Sequence, residues 1–389
     1  MAMKARVLFI LWALLSVSVT LGAQTARDSL SIDGPYVLHC GDGTRVITVS
    51  AEGEIKDTTY LGLPTSFRVC DHEGQYPFEV SLRPIRRQDW CIRTEPERTF
   101  VMSDPHGRLD CVISLLQGNG VIDENLHWAF GADQLVLIGD IFDRGDDAVQ
   151  IFWFFYKLQQ EAADAGGRVT ILLGNHEPME FAGDMRYATP KYEKLAKKLG
   201  IEYRDLFGPD SELGRWVASW NAICILGRNL YVHAGLSSEF YRQDIPIPEV
   251  NMEMSRALFL RHKERRDASK KIGFLYGSSG PIWYRGMVHD GEKYNPINAD
   301  TLKLMLTHYD VDHIIVGHTI FEDVSSFHDG SVICVNVDNR KNRDEERGRA
   351  LLIDHNRYFI VGDKGIIKEK NFSEKFALPV LIVTFVGNF

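Results

Sequence analysis

The stretch Thr99 to Cys111 reads TFVMSDPHGRLDC. An apolar, strand-forming run stops at Asp104, and His106 and Gly107 follow before a helical segment expected over Leu109–Gln117. The same grammar continues downstream. DQLVLI (133–138) leads into a helical segment, Asp146–Ala165, in which Ile151, Phe154, Phe155 and Leu158 share a face, and RVTILL (168–173) comes next. A β-α-β-α-β order predicts a sheet with parallel neighbours and helices packed on it, an α/β fold. Residues 178–228 and 236–300 are longer excursions between later strands, rich in Tyr, Arg and Lys, of the kind that builds a substrate surface.

Each apolar run ends in a group able to bind a metal or a phosphate. FVMS runs into Asp104 and His106; LVLIG delivers Asp140, with Asp143 and Arg144 just beyond. TILLG delivers Asn175, His176 and Glu177, NLYV delivers His233, and HIIVG delivers His318. Ligands of open α/β sheets sit at the carboxyl ends of the strands, so clusters far apart in sequence can meet there. Taken singly, each has a plain structural reading: Asp104 as a turn acceptor, Asn175 as a helix cap, His233 and His318 as buried hydrogen-bonded rings. Their recurrence at successive strand ends favours one site. Two aspartates, three histidines and an asparagine supply oxygen and imidazole without thiolate, which suits Mn²⁺, Fe or Zn²⁺. One carboxylate can bridge two such ions about 3.5–4 Å apart.

The N-terminus is of another kind. Lys4 and Arg6 precede an apolar stretch, Val7 to Val19, that closes at Gly22-Ala23, which reads as a secretory signal peptide over residues 1–23. The stretch is shorter than the ~20 residues of a spanning helix. The chain is therefore expected to be exported to the periplasm or secreted, without stable membrane insertion after cleavage. Its formal charge is −9, and removing Lys4 and Arg6 brings it to about −11, which disfavours nucleic acid as a partner. Residues 28–97 alternate in short runs punctuated by Gly-Asp-Gly and Glu-Gly, the pattern of a small β-rich module ahead of a domain over 98–389. Of six cysteines, Cys224 and Cys334 lie in apolar runs as expected free thiols, while Cys40, Cys70 and Cys91 are better placed for one bridge. The run RHKERRDASKK (261–271) is expected to be a solvated helix face and the apolar tail ALPVLIVTFVGNF (377–389) a buried or edge strand.

Asp104-Pro105-His106-Gly107, Gly139-Asp140 with Asp143-Arg144-Gly145, Gly174-Asn175-His176-Glu177, His233-Ala234-Gly235 and Gly317-His318-Thr319 together resemble the ordered signature of the calcineurin-like metallophosphoesterases. Asp-Arg-Gly and the glutamate of the third block are similar to the phosphoprotein phosphatase branch. Gly280-Pro281-Ile282-Trp283-Tyr284-Arg285-Gly286 further resembles the Shewanella-like protein phosphatases. The match spans roughly residues 99–340.

The resemblance implies two stacked mixed β-sheets flanked by helices, and a centre of two divalent ions. It assigns Asp104, His106 and bridging Asp140 to one metal, and Asp140, Asn175, His233 and His318 to the other. Arg144, Arg285 and the Asn175 amide would hold the substrate phosphate. His176, oriented by Asp143, would be the general acid for hydrolysis by a metal-bridging hydroxide. Ser103 stands where many members have glycine. The expected activity is hydrolysis of phosphomonoesters, on phosphoprotein tyrosine or serine/threonine or on a small substrate. Two other readings remain: a nucleotide or dinucleotide polyphosphate hydrolase using the same centre, and an envelope binding protein whose metal site is only structural.

Overall fold

The computed structural model describes residues 30–338, 341 and 348–370. The segment read as a signal peptide and the apolar tail lie outside the described residues. The strands, in chain order, are β1 (Asp33–Cys40), β2 (Gly43–Val49), β3 (Ile55–Leu61), β4 (Ser66–Val69), β5 (Phe78–Ser81), β6 (Cys91–Ile92), β7 (Arg98–Met102), β8 (Gln134–Leu137) and β9 (Arg168–Ile171). They continue with β10 (Ile223–Leu226), β11 (Asn229–Val232), β12 (His313–Val316), β13 (Ser325–Phe327), β14 (Val332–Cys334), β15 (Ala350–Asp354), β16 (Arg357–Gly362) and β17 (Gly365–Lys370). Three helices matter most: α1 (Leu109–Gly118), α2 (Ala148–Asp164) and α3 (His176–Phe181).

Two six-stranded sheets form the centre, in the orders β17-β16-β15-β7-β8-β9 and β13-β14-β12-β11-β10-β6. In the first, β7, β8 and β9 run parallel, as the β-α-β-α-β order predicts, and β15, β16 and β17 form an antiparallel extension. In the second, β11, β12 and β14 are parallel, β10 is antiparallel to β11 but parallel to β6, and β13 is antiparallel to β14, so both sheets are mixed.

Strand alternation sorts the side chains into layers. Val101, Val136, Leu351 and Ile360 of the first sheet share one apolar cluster with Cys224, Tyr231, Ile315 and Ile333 of the second. The opposite faces pack outward: Phe100, Met102, Leu135 and Leu137 meet α1 and α2, whereas Ile223, Leu230, Ile314 and Val332 meet the helices of residues 238–309. The result is two stacked sheets with helices outside.

Helix α2 departs from the one-faced helix expected for it. Phe152, Trp153 and Tyr156 are buried together with Ile151, Phe154, Phe155 and Leu158. The reason is a second layer on its outer side. Phe78 of β5 packs edge-on against Phe154 at 5.3 Å, Phe67 of β4 lies 6.3 Å from Trp153, and Trp153 Nε1 donates to Pro35 O at 2.8 Å. Fully burying each such ring contributes about 1.5–3 kcal/mol. Residues 28–97 thus supply the three-stranded sheet β1-β2-β3, the β4–β5 hairpin and edge strand β6, which pairs in parallel with β10.

The cysteine expectation is corrected: none of the six, all among the described residues, forms a disulfide. Cys40 ends β1, Cys70 follows β4 and Cys91 lies in β6, three different sheets, so no two of the favoured three meet. The basic run 261–271 is exposed at most positions, but Arg265 is buried and its Nε donates to Ala257 O at 3.1 Å. Among the described residues no helix is long and apolar enough to cross a membrane.

Candidate metal centre

The carboxyl ends of β7, β8 and β9 meet those of β11 and β12 at one edge of the two sheets. Backbone hydrogen bonds lock the emerging loops together: Asp104 N to Gly139 O at 3.1 Å, His106 N to Asp140 O at 3.1 Å, and Gly317 N to His233 O at 2.8 Å. Gly139 and Gly174 allow the close approach, since a Cβ on Gly174 would fall 2.1 Å from Asp140 Oδ1. The backbone is strained where the ligands leave the strands. Asp104, His106, Asp140, Asp143, Arg144 and His318 all adopt positive φ, between 42° and 74°. Such conformations cost on the order of 1–3 kcal/mol each and concentrate at functional sites.

All six residues expected as ligands are buried and converge on Asp140. Its Oδ2 lies 3.2 Å from His233 Nε2, 3.8 Å from His176 Nε2 and 3.9 Å from His106 Nε2. Asp104 Oδ1 is 3.9 Å from His106 Nε2, and Asp104 Oδ2 accepts from His318 N at 3.1 Å. Asn175 Oδ1 meets His233 Nε2 at 3.0 Å, and its side chain makes no helix cap. The ring nitrogens facing away from the cluster are held by carbonyls, His106 Nδ1 by Phe142 O and His233 Nδ1 by Ile138 O, both at 2.7 Å. That leaves each Nε2 directed inward, the arrangement of metal-ligating histidines.

The donor set fits two cations. His318 Nε2 is buried without a hydrogen-bond partner, which a ligand atom explains and a structural histidine does not. Two groups offer ligand atoms within 4.8 Å of one another, Asp140–His233–His318 and His106–Asp140–His176, and Asp140 is common to both. Asp104 completes the oxygen donors beside His106. Geometry also admits His176 Nε2 as a ligand, its Nδ1 being engaged by Asp143.

Electrostatics follow burial and the two aspartates. Burial opposes charge on Asp140, yet His233, His176 and His106 around it hold its carboxyl well below the usual range. Burial pushes Asp104 up to about 6 and His106 down to about 4, and holds His318 well below the ordinary imidazole value. Burial also disfavours charge on His176, but Asp140 and the Asp143 hydrogen bond outweigh it and raise that imidazole. A bound cation pulls every coordinating group toward its deprotonated form.

Both arginines reach the site from loops. Arg144 is exposed, its N–H donating to Tyr187 O at 3.0 Å, and with Asp104, His106, Arg108 and Ile320 it lines a cavity of about 120 Å³. Arg285 is half-buried, its Nη1 donating to Thr319 Oγ1 at 2.9 Å. Its segment is pinned by Ala234 N donating to Pro281 O at 3.0 Å, which brings the 280–286 block beside His233.

Several contributors make contacts that the sequence pattern did not assign to them. Ser103 Oγ donates to Asp104 Oδ2, so the position that departs from glycine supports the carboxylate of a candidate ligand. Trp283 packs edge-on against His318 at 5.8 Å, and Tyr187 lies 5.5 Å from the His176 ring. Glu177, wholly buried, accepts from Gly174 N (2.8 Å), Ile141 N (2.8 Å) and Asp140 N (3.2 Å), stapling the β8 and β9 loops. Glu177→Ala would strand three buried N–H groups at about 1–3 kcal/mol each. Denaturant unfolding of the metal-free protein is expected to show a loss of about 3 kcal/mol or more, and a loss below about 1 kcal/mol would refute the staple.

Comparison with known proteins agrees with the site. The calcineurin-like phosphoesterase family model matches residues 97–321, and the chain belongs to that family. Shewanella-like protein phosphatase 2 of Arabidopsis thaliana is 39% identical over 269 residues, 58% of this chain and 67% of that protein. The crystal structure of a cold-active protein-tyrosine phosphatase of a psychrophilic Shewanella species superposes with a TM-score of 0.78 at 30% identity, covering 87% of this chain and 99% of that one. Human serine/threonine-protein phosphatase 5 is 24% identical over 255 residues, 65% of this chain and 45% of that protein. This chain is a metal-dependent phosphoester hydrolase with the calcineurin-like fold, in a family that holds a dimetal centre.

Proposed function

We propose that the chain is an exported phosphomonoesterase acting on phosphorylated protein side chains, tyrosine or serine/threonine. The observation that carries this reading is the convergence of Asp104, His106, Asn175, His233 and His318 on Asp140, with two guanidinium groups at its rim. Asp104, His106 and Asp140 would hold one ion; Asp140, Asn175, His233 and His318 would hold the other. Mn²⁺, Fe or Zn²⁺ suits these donors. When bound, the ions supply Lewis-acid contacts to the phosphoryl oxygens and an attacking water of lowered pKa.

The chain's own residues do the rest. Arg144 and Arg285 clamp phosphate oxygens, and the bond from Arg285 to Thr319 fixes that guanidinium before substrate arrives. His176 gives the proton on Nε2 to the leaving oxygen as its bond to phosphorus breaks, while Asp143 holds Nδ1–H and so the tautomer. Export is supported by the composition of residues 1–23. The protein phosphatases among its relatives favour a phosphoprotein over a dinucleotide.

The test compares purified protein on aryl phosphate, phosphopeptides, a phosphodiester and a dinucleotide polyphosphate, each with added Mn²⁺, Fe²⁺ or Zn²⁺. Monoesters and phosphopeptides are expected to turn over fastest. Preference for the dinucleotide, or no turnover with any metal, would overturn the reading.

A further inference from the structure

Behind the His176–Asp143 pair lies a second buried carboxyl that the proposed chemistry does not use. Glu180 stands one turn beyond His176 on α3, on the same face, and is 1% exposed. Neither of its oxygens receives a hydrogen bond, and neither does Asp143 Oδ1, although all three are buried. Asp143 Oδ2 is taken by His176 Nδ1, and the Glu180 side chain lies within hydrogen-bonding contact of Asp143. The titratable groups facing Glu180 are Asp143 and Asp184, both negative, and the buried Tyr203 phenol.

Two adjacent ionised carboxylates would leave three buried oxygens as acceptors with no donor and set two negative charges against the single His176 imidazolium. One proton resolves this. Burial and the two aspartates push the Glu180 carboxyl up to about 10, in keeping with a neutral acid.

We infer that Glu180 is a positioning residue, a neutral carboxylic acid whose O–H donates to Asp143 Oδ1 and thereby holds Asp143 in line with the His176 ring. The inference rests on the proposed role of His176 as proton donor. Asp143 then carries an O–H donor on one oxygen and the imidazole N–H on the other, so rotation about its carboxyl is blocked. No bond is made or broken at Glu180 itself.

The test uses Glu180→Gln, which keeps an N–H donor to Asp143, against Glu180→Met and Glu180→Leu, which fill similar space without one. Steady-state kinetics are run on an alkyl phosphate and on 4-nitrophenyl phosphate, whose leaving group needs little protonation. Glu180→Gln is expected to stay within about threefold of wild type. The donor-less variants are expected to lose about 10–100-fold in kcat on the alkyl ester, with KM unchanged and a smaller loss on the nitrophenyl ester. A parallel measurement follows the far-downfield His176 Nδ1–H proton by NMR in metal-free protein, expected to persist in Glu180→Gln and to shift or broaden in the other two. Equal rates and spectra in all variants, or a Glu180→Gln as impaired as Glu180→Met, would overturn the inference. Wild-type protein without phosphatase activity would sink the proposed function, leaving the NMR comparison to decide the Glu180 contact independently.

Discussion

Asp140→Asn is expected to cost at least about 10³-fold in kcat/KM on an aryl phosphate and to lower bound metal below two equivalents per chain. Asp140 is the residue on which both candidate ligand groups depend, and it lies nearest the centre of the three imidazoles. Asparagine preserves its shape, and its carbonyl can still accept from His176 N, which now donates to Asp140 Oδ1 at 2.9 Å. The Glu177 staple holds the Asp140 backbone whatever the side chain. What the substitution removes is therefore a negative charge and a second lone-pair donor, with little change of fold. Elemental analysis after dialysis, beside the aryl phosphate assay, separates the effects. Full activity, or two tightly held ions in the variant, would show that Asp140 does not bridge.

The sheet core and the candidate donors were legible because both rest on local pattern. Apolar runs with period-two or continuous burial end at β7, β8, β9, β11 and β12, and a candidate donor follows each end within one to four residues. The orientation of the donors was not legible. Positive φ at Asp104, Asp140 and His318 arises because loops of different strands are hydrogen-bonded to one another, a tertiary constraint without a sequence period. Glu177 and Glu180 sit four and one residues from the end of the same short helix, yet one staples two loops and the other backs Asp143; the partners that set them apart, Asp140 and Ile141 for one and Asp143 for the other, lie more than 30 positions away. The outer burial of α2 was hidden for a similar reason, since the layer covering it is contributed by β1–β5. Cysteine spacing misled because it carries no information on which sheet each thiol joins.

His176→Ala is expected to lower kcat by about 10²–10⁴-fold while metal content stays at the wild-type value. Both parts matter, because His106, Asp140 and His176 alone could also hold an ion. If His176 were a ligand, its loss would release metal, and the activity would return with excess Mn²⁺. If it is the proton donor, metal stays and added Mn²⁺ does nothing. The leaving group sharpens the distinction: an alkoxide leaving without a proton is a far stronger base than 4-nitrophenolate, so the deficit of the variant should grow from the nitrophenyl ester to the alkyl ester. A ligand's loss, by contrast, weakens attack on every ester to a similar degree. Asp143→Asn belongs in the same series, since it would reverse the tautomer at Nδ1 without touching any residue assigned to a metal. A loss in Asp143→Asn that follows the leaving group as His176→Ala does would tie the two side chains into one proton-donating unit, whereas a flat loss across esters would return His176 to the metal.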